Sequence, residues 1–182
     1  MAEHKVYIKI NNKKNRNTIE ELLKETYSDV SIQWEDVIGK LIVFDNDAFQ
    51  SKLEKLLSFG FHDVGLQATL LIVPFFDELF VNYLDLYNNQ VCTAFEIFVR
   101  NIKNDHIKED VKKIINSIEK KELDTLKAFL SCNCNSLITS NELYLHRNSF
   151  NYRMNQLISN NKIDVRNVNT LMFLKLIITL NG

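Results

Sequence analysis

The hydrophobic period of this chain changes at Asp77, and that change limits the folds open to it. Upstream, short alternating or continuous apolar runs are separated by two stretches with helical spacing. Val6-Tyr7-Ile8-Lys9-Ile10 reads as a strand and Asn11–Asn17 as a polar, basic turn. Thr18 is placed to cap a helix starting at Ile19, with Glu20 and Glu21 near its positive end. Val30–Trp34 alternates like a strand, Asp36–Lys40 reads as a turn, and Leu41–Phe44 as the return strand. Asn46 or Asp47 is expected to cap a second helix whose face is Phe49, Leu53, Leu56, Leu57 and Phe59, closed by Gly60. Leu66–Phe76 completes a β-α-β-β-α-β order, which predicts a ferredoxin-like α/β unit.

Downstream the spacing is helical. Leu79, Phe80, Tyr83, Leu84 and Tyr87 recur at three and four; Cys92–Ile102 suits either a strand or a helix. The charged run Asn104–Glu109 reads as a boundary. Beyond it, Ile107, Val111, Ile114, Ile115 and Ile118 mark one amphipathic helix, and Leu123, Leu126, Phe129 and Leu130 the next. The expected class is α+β, with an α/β domain over 1–103 and an all-α domain over 104–182.

Composition narrows the function. With 4 Gly and 1 Pro in 182 residues, Gly-rich nucleotide loops have little raw material, and Gly39-Lys40 lacks the rest of a phosphate loop. His4, His62, His106 and His146 have no metal-ligand spacing, and Cys132-Asn133-Cys134 lacks a second ligand pair for zinc. No Gly-flanked serine marks a nucleophile elbow. The expectation is therefore no enzyme, with no catalytic, metal or cofactor residues. Three cysteines are not a secreted disulfide framework, and no signal-peptide apolar core opens the chain. Leu66–Phe76 is far shorter than the roughly 20 residues of a membrane span. A cytoplasmic protein without a membrane partner is expected. The net charge of −1 conceals an asymmetry: residues 1–122 carry 16 Lys/Arg against 20 Asp/Glu, and residues 123–182 carry 6 against 3.

Two short helices joined by a tight turn account for Cys134–Asn161. The first spans Ser136–Leu143, capped by Asn135, with Leu137, Ser140 and Leu143 inward; Tyr144-Leu145-His146 is the turn. The second starts near Arg147 and buries Phe150, Met154, Leu157 and Ile158. Its other face carries Asn148, Ser149, Asn151, Tyr152 and Asn155, with Arg153 nearby. Asn amides bond adenine edges in the major groove, and Arg takes guanine or phosphate. A helix-turn-helix presents such a face to DNA. An Asn-rich helical hairpin is the plainer reading, since the chain holds 22 Asn.

The segment resembles the C-terminal helix-turn-helix of PucR-type bacterial transcriptional regulators. Carrying residues are Leu123, Thr125-Leu126, Phe129-Leu130, Leu143, then His146-Arg147-Asn148-Ser149-Phe150 with Tyr152-Arg153-Met154. The family string is L-x-x-H-R-N-T-L-x-Y-R-L. Ile163–Arg166 resembles the stretch before the family's last helix, here about Asn167–Leu180. Upstream, the α/β unit is more loosely similar to the family's degenerate GGDEF-like domain. The resemblance implies a sequence-specific regulator that binds double-stranded DNA as a homodimer, with a small-molecule effector as a further partner. It implies that Asn148, Asn151 and Tyr152 face bases and that Arg147 and Arg153 meet phosphate or guanine. Ser149 and Asn155 complete the face, and His146 opens the helix as a contact or a cap. Lys162 stands in place of the family's Gly, Gln156 in place of a common basic residue, and Leu171 in place of a small one. These departures keep an alternative open: a non-DNA-binding relic acting through a protein partner.

Overall fold

Strand β1 (Ala2–Ile10) is the centre of a five-stranded sheet. The computed structural model describes residues 2–27, 30–45, 48–161 and 163–181. They fall into two compact units, Met1–Ile97 and Phe98–Gly182. The first adds α1 (Asn15–Thr26), β2 (Ile32–Glu35), β3 (Ile38–Asp45), α2 (Phe49–Val64), β4 (Ala68–Val73), α3 (Glu78–Val81) and β5 (Val91–Thr93). Strand order is β2-β3-β1-β4-β5, antiparallel except for β4–β5. This is the expected split βαβ arrangement with one more strand on its edge.

Alternation in β1 directs Val6, Ile8 and Ile10 to one side, where they pack with Ile19 and Leu23 of α1 and Leu53, Leu56 and Leu57 of α2. Tyr7 points the other way, its hydroxyl donating to the Asp77 carbonyl at 3.1 Å and its ring edge-on to Phe76. β4 is buried at every position, which explains its unbroken apolar run. His4, 6% exposed, stacks on Phe49 with ring centroids 4.1 Å apart, and among the described residues neither of its nitrogens has a hydrogen-bond partner.

Several expected boundaries move. α1 begins at Asn15, a turn before Ile19, so Thr18 lies inside it; Asn12 Oδ1 accepts from the Lys14 N–H at the entry. β3 starts at Ile38, and only Asp36 and Val37 turn. Gly39 lies within that strand, where a Cβ would press on Ile32 and Trp34. α2 runs through Gly60 to Val64 and ends at Gly65, whose φ of 67° suits glycine. Gly60 instead gives room to Leu22 and Leu66. Phe59, expected on the buried face, is 65% exposed. The expected caps Asn46 and Asp47 lie outside the described residues. The strand expected over Leu66–Phe76 shortens to Ala68–Val73. The helical spacing from Leu79 to Tyr87 resolves into α3 and a 3₁₀ turn at Leu84–Leu86, where i→i+3 bonds tighten the chain.

α4 (Ala94–Arg100) contains the division between the units. The second unit comprises α5 (Asp105–Ser117), α6 (Lys120–Ser131), α7 (Ser136–Glu142), α8 (Arg147–Asn161) and α9 (Val168–Asn181). Asn104 caps α5 by accepting from the His106 N–H, so the charged run forms that helix's start. Ile107, Val111, Ile114 and Ile115 are buried, as their spacing predicts. Phe98 meets Phe173 edge-on at 5.0 Å, and Phe129 lies 5.9 Å from Phe150. Among the described residues, no helix is long and apolar enough to cross a membrane.

Candidate nucleic-acid interface

Asn135 organises the first helix of the pair. Its Oδ1 accepts from the Leu137 and Ile138 N–H groups at 3.0 and 3.1 Å, satisfying two donors that α7 cannot satisfy itself. Thr139 and Ser140 are buried, and their hydroxyls donate back to the Asn135 and Leu137 carbonyls. Ser140 is inward as expected. Leu137 is not: at 64% exposure it faces solvent. The buried line of α7 passes through Thr139 and Ser140, and Leu137 lies off it.

The α7–α8 turn closes α7 through two bonds. The Leu145 N–H donates to the Ser140 carbonyl at 2.8 Å and the Tyr144 N–H to the Asn141 carbonyl at 3.0 Å. That is a Schellman ending, which needs a left-handed residue. Tyr144 supplies it with φ of 52°, and its side chain is 97% exposed. His146 then opens α8. Its Nδ1 accepts from the Asn148 N–H at 3.3 Å while its carbonyl accepts from the Phe150 N–H at 3.0 Å. This is the geometry of an N-terminal cap.

α8 is held by one face. Phe150, Met154 and Leu157 are buried, with Ile158 half-buried. Polar ties flank them. Asn160 Nδ2 donates to Glu122 Oε1 at 3.1 Å, and Arg153 Nη1 to Thr125 Oγ1 at 3.4 Å. Glu122 and Thr125 are both buried on α6. Sequence reasoning gave neither of them this bracing role; a Glu in a first helical turn reads as a dipole contact, and nothing local shows that it is covered.

Arg147, Asn148, Ser149, Asn151, Tyr152 and Asn155 are exposed, and Arg153 is half-buried. At 100° per residue, Asn148, Tyr152 and Asn155 lie within roughly 60° of one another, opposite the buried line. The amides of Asn148, Asn151 and Asn155 engage no described residue. The Tyr152 hydroxyl accepts from Gln156 Nε2 at 2.9 Å, so Gln156 braces Tyr152. Tyr152 is 63% exposed. Lys162, the departure at the end of this helix, lies outside the described residues.

Residues 123–180 match the model of the PucR C-terminal helix-turn-helix domain, which supports a transcriptional regulator. No curated protein matches the chain. Among solved structures it is similar to a regulator of polyketide synthase expression from Bifidobacterium adolescentis. That similarity has 11% identity and a TM-score of 0.45, over 100% of this chain and 81% of that one.

Proposed function

With residues 123–180 forming a PucR-type helix-turn-helix domain, we propose that the chain is a transcriptional regulator that reads double-stranded DNA through α8. The observation that carries this reading is the outward amide stripe on a capped second helix. Planar amides with unengaged donors and acceptors match adenine N6 and N7 in the major groove. Asn148, Asn151 and Tyr152 are the base-facing set, with Ser149 and Asn155 beside them. Arg147 is the exposed cation at the helix start. Arg153 keeps one nitrogen on Thr125 and offers the rest of its guanidinium to a phosphate. A single module makes few contacts, so two copies on a palindromic site are the natural stoichiometry. For the small effector we assign a cleft of about 580 Å³ in the α/β unit, lined by Trp34, Glu35, Lys40, Glu78 and Asn82, among others.

The test is selection of bound sequences from random duplex DNA, followed by anisotropy titration. Asn148→Ala is expected to weaken the selected duplex by about tenfold and relax one base position. Arg153→Ala is expected to weaken all duplexes alike and flatten the salt dependence. An unchanged affinity and salt slope would count against a phosphate contact. One observation favours the protein-partner alternative. Arg147 and Arg153 are the two cations of α8, and one of them is turned toward α6. That alternative predicts no enrichment of any duplex at any salt.

A further inference from the structure

Cys132 and Cys134 flank Asn133 between α6 and α7. Cys134 is exposed and Cys132 half-exposed, whereas Cys92 is buried with its Sγ 3.8 Å from the Leu70 carbonyl oxygen. Asn133 and Cys134 have φ of 53° and 58°, consecutive left-handed residues. The Asn135 N–H donates to the Cys132 carbonyl at 3.1 Å. An i+3→i bond around two left-handed residues is a type I′ turn. Its bend brings Cα atoms joined by two 3.8 Å steps to about 5.5 Å, inside the roughly 4.4–6.8 Å window of disulfides. The turn is anchored on the helix before it, through the Cys132 N–H to the Ala128 carbonyl and the Cys134 N–H to the Phe129 carbonyl.

We propose that Cys132 and Cys134 are a redox modification site, closing to an intramolecular disulfide on exposure to a peroxide. The exposed Cys134 thiolate attacks a peroxide oxygen, the O–O bond breaks, and one oxygen leaves as water. The product is the Cys134 sulfenic acid. Cys132 Sγ then attacks Cys134 Sγ, the S–O bond breaks, and the hydroxyl leaves as a second water. Two thiols have lost two electrons and two protons, and one peroxide has become two waters. The new bond ties the residues that lead α6 into the Asn135 cap of α7. It restricts the torsions of Asn133 and so acts on the helix pair that carries the reading face. This last step rests on the DNA-reading function proposed above.

The experiment uses the full chain and hydrogen peroxide. Thiols are counted after denaturation, and the peptide holding both cysteines is weighed. Three titratable thiols are expected to fall to one, Cys92, with a loss of about 2 Da in the peptide. Dithiothreitol is expected to restore all three. Cys134→Ser is expected to form no internal bond. Three thiols persisting at doses that oxidise free glutathione would overturn the site. So would loss through disulfide-linked dimers or through oxygen adducts at Cys134. The duplex selected above is then titrated against both redox forms. A change of threefold or more, absent in Cys134→Ser, supports the coupling to α8, and equal affinities overturn it. No binding by either form speaks against the DNA reading, and the thiol count is independent of it.

Discussion

Tyr144 holds a conformation that costs an L-residue roughly 1–2 kcal/mol, and its side chain contributes little, being almost wholly in water. Tyr144→Gly relieves the torsion while loosening the unfolded chain. The net expectation is a gain of about 0.5–1 kcal/mol, read as a higher melting midpoint; a drop would mean that the ring is engaged. His4 sets a pH dependence. Burial holds its imidazole below the usual range, against an opposing pull from Asp45. As pH falls below about 6.5, the unfolded chain takes up a proton that the folded one resists. Stability contributed by the neutral ring is complete above that pH. It declines down to the lowered native value, and the curve is level beneath it. Urea midpoints between pH 7.5 and 5 are expected to show that decline, reduced in His4→Phe. Neither residue's state was legible in the sequence. A Tyr carries no mark of a left-handed φ, and His4 looked like part of a polar N-terminus until β3 and α2 covered it.

At the scale of elements, turns and strand limits were the hardest to read and periodic faces the easiest. Gly39 illustrates the first. As a Gly beside a Lys it read as turn, yet a Cβ there would lie 2.6 Å from Ile32 Cγ2 and 3.0 Å from the Trp34 ring. Cross-strand pairing with Trp34 selects the glycine, and that contact exists only once Asp36 and Val37 turn the chain back on itself. Gly39→Val is expected to push Trp34 off the strand and cost about 1–3 kcal/mol. Trp34 is the chain's single tryptophan, so its emission reports the displacement directly; an unshifted spectrum would sink the account. α5 and α8 illustrate the second. Their apolar residues recur every three or four positions, and the residues the spacing names are buried, Ile158 of α8 only partly. In α8 the same period placed the amide stripe outward. The orientation of Arg153 escaped it, since Thr125 lies 28 positions earlier in the chain.

For the whole molecule, the near-zero net charge divides into an acidic stretch and a modestly basic one. With two candidate phosphate contacts per copy, Arg147 and Arg153, the proposed dimer would neutralise about four phosphates. The log-log salt slope is expected near roughly −2 to −4, measured by anisotropy from 50 to 300 mM salt. A flat slope would favour a protein partner. The sequence by itself determined the split βαβ pattern of the first four strands, the capped helix pair over 135–161 and the residues on α8's outer face, but not the fifth strand, β5. Each follows from local periodicity, capping chemistry or a contiguous motif. Tertiary structure alone decided that Gly39 lies in a strand, that Leu137 faces solvent, that Tyr144 is left-handed, and that Glu122 and Thr125 brace α8. Those outcomes depend on which residues meet once the chain has turned or packed, from Trp34 beside Gly39 to Glu122 beside Asn160, and hydrophobic spacing carries no record of that.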